Sequence, residues 1–437
     1  MITFLQLKKM FFPLTIKNSC YIIIKKYVKY YKTEKGRNYF MKSKKIIVSL
    51  LLVMFAITMV AGCGGTKAPV DKVGEKPESV KIGLNIELSG NVAQYGIAVA
   101  NAIELGFEEI NAAGGADGIK LEVIKYDNRS DSAESLNVAT RLASQDEVSV
   151  IVGPATSTAA IATVPVSEEF QIPVISPTGT ALDITIDPKT GETRPFMFRT
   201  CFIDPFQGTV GARFAAENLE LKTASIYVDN NSDYSKALEV VFKDSFEALG
   251  GEIVSVEGFV IEDKDFRSTL TKIIGTNPDV IYIPAYEEQV ALIINQAREL
   301  GYEGVLLGVD GWDGTKLAEV NTPEALKDAF FTNHYSSEST DPKVSDFIKN
   351  YNAKYGSNPT SLAALGYDAA YVIAEAVAKA GSADPVAIRD AIAKTSGLVG
   401  VTGTITLDEQ HNPIKSAVII GYNDQGVQEY VATIDPK

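Results

Sequence analysis

From residue 80 onward, short β-branched apolar runs alternate with stretches whose apolar positions recur every three to four residues. Residues 80–86 and 119–127 read as strands, with a helix over 92–112 between them that closes at Gly114-Gly115. Asp131 followed by Glu134 forms a capping-box-like start for a helix reaching Ser144, and a strand at 148–153, a helix from Ser157 and a strand at 172–176 follow. A second unit repeats the pattern, with strands at 224–228, 252–256, 279–284 and 304–307 and helices near 233–249, 265–275 and 286–300. Each unit predicts a mostly parallel sheet with helices on both faces, the α/β doubly wound arrangement.

Beyond Asn333 the pattern gives helices at 342–355, 360–380 and 385–395, the last entered by Asp384 as cap and Pro385 at the first position, then a strand pair at 402–407 and 417–422. These segments have to pack back onto the earlier sheets. The expected division is 80–201 plus 334–412 for one lobe and 202–333 plus 413–437 for the other. Repeated crossings form a multi-strand hinge, with a cleft at the carboxyl ends of the strands.

The N-terminal part follows different rules. Residues 1–40 are rich in Lys, Tyr, Ile and Phe without amphipathic period, and are expected to be a misassigned leader ahead of Met41. From Met41 come Lys42, Lys44 and Lys45, an apolar run over 46–60, then Ala61 and Gly62 before Cys63, the layout of a secretory signal at 41–62. The run Val60-Ala61-Gly62-Cys63 resembles a bacterial lipobox, which makes Cys63 the expected acylated terminus and membrane anchor. The competing reading is an uncleaved membrane span, although 46–62 sits at the lower edge of the roughly 17 to 25 residues a span needs. Either reading places the bulk of the protein outside the cytoplasm. Residues 63–79 have too little apolar content to fold and are expected to act as a tether.

Without residues 1–62 the chain keeps 29 basic against 54 acidic residues, a formal charge of −25. Such a surface repels phosphate backbones, so nucleic acid is excluded as a partner. Cys20 and Cys63 lie in the leader and the lipobox, which leaves Cys201 without a disulfide partner and expected to be a buried thiol.

Candidate chemistry gathers at strand ends. Gly153-Pro-Ala-Thr-Ser-Thr158 follows one strand and opens a helix, so its amides and the hydroxyls of Ser157 and Thr158 could receive a carboxylate; helix capping explains the same residues. Ser176-Pro-Thr-Gly-Thr180 repeats the arrangement, with Thr178 and Thr180 supplying a carbonyl and a hydroxyl. For the opposite charge the candidate is Asp310, in Gly308-Val-Asp-Gly-Trp-Asp-Gly314, which could face an ammonium or serve only to form a turn.

Leu88-Ser-Gly-Asn-Val-Ala-Gln-Tyr-Gly96, the Ser157 turn, Ser176-Pro-Thr-Gly-Thr180, Phe198-Arg-Thr200 and Asn295-Gln-Ala-Arg298 stand in an order that resembles the branched-chain amino acid binding proteins of ABC importers, across nearly all of 80–437. The resemblance implies two Rossmann-like lobes of the periplasmic-binding-protein type I fold. It implies a ligand α-carboxylate held by Ser157 and Thr180, and an α-ammonium held by the Thr178 carbonyl with Asp310. It places Tyr95 and Tyr286 as aromatic walls, Tyr234 as the closing contact from the second lobe, and Trp312 and Phe206 nearby. Where the family's leucine binder has Glu, this chain has the shorter Asp310, and Thr156 stands where some relatives have a disulfide cysteine. The partners implied are a small amino acid, the permease subunits of an importer and the membrane through the lipid anchor; a monomer without cofactor or metal is expected.

An enzyme is the first rival. His334 and His411 are the available neutral-pH bases, both expected at turns or the surface, and no nucleophile elbow, Walker loop or dinucleotide fingerprint is present. The second rival is a sensor module presenting its ligand to a membrane receptor, or a relative tuned to amides or other small carboxylates.

Overall fold

The first strand, β1 (Ser79–Ile86), lies parallel to β2 (Lys120–Asp127) on one side and to β3 (Val150–Val152) on the other; β4 (Val174–Ser176) and β5 (Met197–Arg199) extend the sheet beyond β3. The order β2-β1-β3-β4-β5 reverses direction between β1 and β3. Such a reversal leaves a crevice at the strands' carboxyl ends, where the loops after β1 and β3 diverge to opposite faces. This computed structural model describes residues 76–436 apart from 315, 316, 318 and 319. The expected leader, the signal at 41–62, Cys63 and nearly all of the tether lie outside the described residues.

The second sheet repeats the device. Strands β6 (Thr223–Asp229), β7 (Glu252–Phe259), β8 (Val280–Tyr282), β9 (Val305–Gly308) and β10 (Ala329–Asn333) run parallel in the order β7-β6-β8-β9-β10, with its own reversal between β6 and β8. Two antiparallel strands, β13 (Ala417–Tyr422) and β14 (Gln428–Ile434), continue from β10.

Helices cover both sheets because each presents one apolar face. α1 (Ala93–Ala112) packs Val99, Ile103 and Phe107 onto Val80, Ile82 and Leu84 of β1. The same core takes Leu365, Ala369 and Ile373 from α10 (Ser361–Ala380), a helix made after the whole second sheet up to β10. α10 is long and apolar enough to cross a membrane, yet it is the covered helix of this core. In the second lobe, α6 (Asp233–Ala248) packs Phe242 and Phe246 into a core with Ile226, Leu307, Phe331, Ile419 and Ile434. Asp131 and Asp384 cap α2 (Ser132–Ser144) and α11 (Pro385–Ile392), accepting from the amides of Glu134 and Ala387 at 2.8 Å each.

Several elements depart from the sequence expectation. The strand expected at 402–407 is β12 (Gly403–Ile405), which pairs with β11 (Leu398–Gly400) and not with β13; Gly403, at φ +100°, makes the tight turn between them. β5, β10 and β14 and the helix α5 (Asp204–Arg213) carry no pattern strong enough to mark them in advance.

Candidate functional site

The carboxyl ends of both sheets meet at one small cavity. Tyr95 on α1, Thr156, Ser157, Thr178 and Leu362 line it from the first lobe, and Tyr234, Tyr286, Asp310 and Gly311 from the second. Its free volume is about 20 Å³, room for a single water.

The first-lobe wall consists of two stitched turns. Gly153 (φ +91°) ends β3, and a Cβ there would lie 2.2 Å from the Asn85 carbonyl, so only glycine lets the turn cross β1 this closely. Glu87, wholly buried just past β1, accepts from the amides of Ala155 (3.0 Å) and Thr156 (3.1 Å) and from the Thr156 hydroxyl (2.9 Å). Burial raises the Glu87 pKa, and those three bonds pull it back. The protein's own acid therefore uses part of the donor set expected to serve a ligand, and Thr156 braces the turn through its amide and hydroxyl. α3 (Ser157–Ala162) follows, with Ser157 Oγ accepting from Ala181 N at 3.2 Å.

The neighbouring turn is fixed from beneath. Thr178 Oγ1 donates to the Ala155 carbonyl (2.5 Å), and the buried Arg199 donates to the carbonyls of Gly179 (2.8 Å) and Ala181 (2.7 Å). Burial lowers the Arg199 pKa, opposed by Cys201 and Asp204. Thr180 is buried beside Asp204, whose carboxyl burial raises well above the usual range.

The second-lobe wall centres on Asp310, which is 2 % exposed. Its Oδ1 accepts from Gln207 Nε2 (2.8 Å) and the Tyr234 hydroxyl (2.5 Å), and its Oδ2 pairs with His334 Nε2 at 2.8 Å. Tyr234 stands in the first turn of α6, positioned by the Ser232 cap, and also accepts from Gly311 N at 3.1 Å. Burial and the adjacent Asp310 push its hydroxyl pKa well above the ordinary tyrosine range, so it stays a donor. Tyr286, before α8 (Glu287–Glu299), stacks on Tyr234 with centroids 5.3 Å apart and meets Tyr95 edge-on at 5.6 Å.

Tyr95 joins the lobes directly. Its hydroxyl donates to the Gly311 carbonyl (2.5 Å) and accepts from Glu287 N (2.7 Å). Thr158 lies at the rim, donating to Asp233 Oδ2 of the other lobe at 3.3 Å. The chain passes between the lobes side by side: Phe202 on the first crossing stacks on His334 of the second at 3.7 Å, and Lys415 on the third donates to the Thr200 carbonyl at 3.2 Å and to the Thr402 hydroxyl. Burial lowers the Lys415 ammonium pKa to about 8.

Of the residues singled out in the sequence, Tyr95, Ser157, Thr178, Tyr234, Tyr286 and Asp310 therefore converge on the cavity. Thr158 and Thr180 do not line it: Thr158 bonds to Asp233 and Thr180 is buried beside Asp204. Trp312 does not reach it: fully buried, it donates from Nε1 to the Ile283 carbonyl at 3.0 Å and fills the space above Gly308, in the second-lobe core. Phe206 packs edge-on against Phe202. His334, expected at a turn or the surface, is buried against Asp310 because it follows β10 directly into the hinge; His411 does sit in a turn, stacked on Phe198 at 4.1 Å. Cys201 is a free buried thiol whose pKa burial pushes up to about 12. Sequence reasoning missed Glu87, Asp204, Gln207 and Asp313. The last accepts from Ser361 N (2.6 Å) and Asn333 Nδ2 (3.0 Å), tying the Asp310 loop to the start of α10.

Two wound lobes whose reversal-point loops face one another over a shared cavity define a two-lobed solute-binding fold. Residues 79–426 match the family described as periplasmic binding protein, and the chain belongs to that family. It is similar to a leucine-binding protein from Thermotoga maritima (36 % identity, TM-score 0.76, covering 82 % of this chain and 99 % of that one). It is similar also to a branched-chain amino acid transporter substrate-binding protein from Streptococcus pneumoniae, solved with isoleucine (37 %, TM-score 0.75, 81 % and 99 %). A leucine-, isoleucine-, valine-, threonine- and alanine-binding protein of Pseudomonas aeruginosa is 28 % identical over 358 residues, 82 % of this chain and 91 % of its own.

Proposed function

We propose that this chain is the extracellular, lipid-anchored receptor of an ABC importer, and that it captures a small apolar amino acid between its lobes before delivery to the permease. The observation that carries the reading is the pairing across the cavity. Asp310, an acid with almost no exposure, lines the cavity from one lobe. From the other it is lined by Ser157, whose Oγ accepts from Ala181 N and keeps its own hydrogen to donate, and by Thr178, whose hydroxyl is given to the Ala155 carbonyl. A dipolar guest with an ammonium at one end and a carboxylate at the other satisfies both walls, whereas a simple carboxylate leaves the acid without a cation. Tyr95, Tyr234 and Tyr286 supply flat apolar faces for an aliphatic side chain.

Entry requires movement. A cavity with room for one water cannot admit an amino acid until the lobes part, so exchange takes place in an open form and binding favours reclosure through contacts to both walls. Anchoring rests on Cys63 at the lipobox-like run, and delivery on docking of the closed form. A thermal-shift screen of the twenty amino acids and their amides, followed by calorimetry on the hits, tests the reading. Stabilisation by leucine, isoleucine or valine supports it; stabilisation by amides or aromatic acids alone, with no amino acid among the hits, overturns it.

A further inference from the structure

Asp310 is reached from behind by a residue that belongs to the hinge. His334 is the first residue after β10, where the chain leaves the second lobe, and its side chain has no exposed surface. Its Nε2 lies 2.8 Å from Asp310 Oδ2, and its ring stacks on Phe202 of the first crossing at 3.7 Å with 27° between planes. The charged groups acting on the imidazole come from two segments: Asp310 and Asp313 from the loop after β9, and Lys415 from the third crossing. Gln207 on α5 holds the other carboxyl oxygen and also donates to Thr332 Oγ1 at 2.9 Å, so the acid is clamped on both sides by groups at the lobe boundary.

We propose that His334 is a positioning residue for ligand binding, whose neutral imidazole donates Nε2–H to Asp310, aims the other lone pairs at the ligand's ammonium, and passes the state of that site to the hinge through Phe202. The inference rests on the amino-acid reading of the cavity. Burial, the largest influence, holds His334 below the ordinary imidazole range and outweighs the pull of Asp310, which favours the neutral donor at physiological pH. Protonated, the ring becomes an imidazolium paired with Asp310 and competes with the ligand's ammonium for one carboxylate. Ligand binding and His334 protonation therefore oppose each other by linkage. Affinity is full above the free protein's His334 pKa and falls as pH drops through it, by at most roughly tenfold per pH unit for one proton.

The test compares leucine calorimetry on the parent and His334→Gln from pH 7.5 down to the lowest pH at which both proteins remain folded. Glutamine replaces the Nε2–H donor with one that does not titrate. The parent should lose affinity toward acid while His334→Gln keeps its pH 7.5 affinity within about tenfold, the scale of one altered hydrogen bond to a charged group, and stays nearly flat. Other acids near the site, Glu87, Asp204, Asp310 and Asp313, are common to both proteins, so only the difference in slope is read. A second measurement needs no variant at position 334. The chain has two histidines, and in a His411→Gln background the remaining imidazole NMR signal should titrate lower when leucine is saturating. The same acid slope in both proteins, or an imidazole titration indifferent to leucine, overturns the inference and leaves the amino-acid reading standing. If no amino acid binds at any pH, that reading fails, and this one with it.

Discussion

The two walls of the cavity are built in different ways. The first-lobe wall is backbone: two turns directly after neighbouring strands, held by hydroxyls, by Glu87 below one and by Arg199 below the other. The second-lobe wall is a side-chain assembly in which Gln207, Tyr234 and His334, from three separate segments, converge on the single carboxyl of Asp310. A backbone wall spreads its contribution over many small donors, whereas a side-chain wall concentrates it on one buried charge, so the two should respond to mutation very unequally.

The largest effect should fall on the concentrated wall. Asp310→Ala strands a desolvated ammonium and should weaken amino-acid binding by about 2–5 kcal/mol, roughly 30-fold to several thousandfold, by calorimetry. Parent-like affinity in that variant would erase the asymmetry. Next comes the clasp between the walls. Tyr95→Phe removes two interlobe hydrogen bonds, about 1–3 kcal/mol from the closed form. A larger radius of gyration in ligand-free scattering and a weaker Kd are expected; an unchanged radius would show that the lobes do not depend on this contact. On the spread-out wall, Ser157→Ala should cost only about 0.5–1.5 kcal/mol of binding, and a loss matching that of Asp310→Ala would reverse the comparison.

The smallest effect concerns stability and sharpens the role of burial. Asp204 has its folded-state pKa raised well above the unfolded value, so its favourable contribution is complete below the unfolded carboxyl's range and is lost as pH rises toward the folded value. At pH 7.5 the parent carries that loss, and Asp204→Asn avoids it. The variant should show the higher Tm at pH 7.5 and a shrinking advantage as pH falls toward 4; an advantage that grows in acid would show that Asp204 is stabilised as the anion.

The same contrast explains what could be read from the chain. The turns at 153–158 and 176–180 were visible because strand, turn and helix start are contiguous, and Asp131 and Asp384 mark their helices by local capping. β5 and β10 were not, since Met197–Arg199 and Ala329–Asn333 are short runs whose pairing is set by neighbours. α5 was hidden by Gly208 and Gly211, poor helix formers; a Cβ at Gly208 would sit 2.9 Å from Val241, so the glycine that obscures the helix is what lets α6 lie against it. Asp310 and Tyr234 could be named from the chain, but Gln207 and His334 could not be joined to them, because contacts across 103 and 24 residues leave no local trace.

The interleaving of the lobes also has a consequence for how the molecule is made. The first sheet is complete by residue 199, yet the helix that covers one of its faces spans Ser361–Ala380, and the second sheet waits for strands ending at Ile434. A chain emerging from its N-terminus therefore carries two unfinished apolar surfaces, the first until Ala380 and the second until Ile434 has appeared. Neither half can mature first and shelter the other, and a chain stopped short of residue 417 would be left with an open sheet edge beside β10.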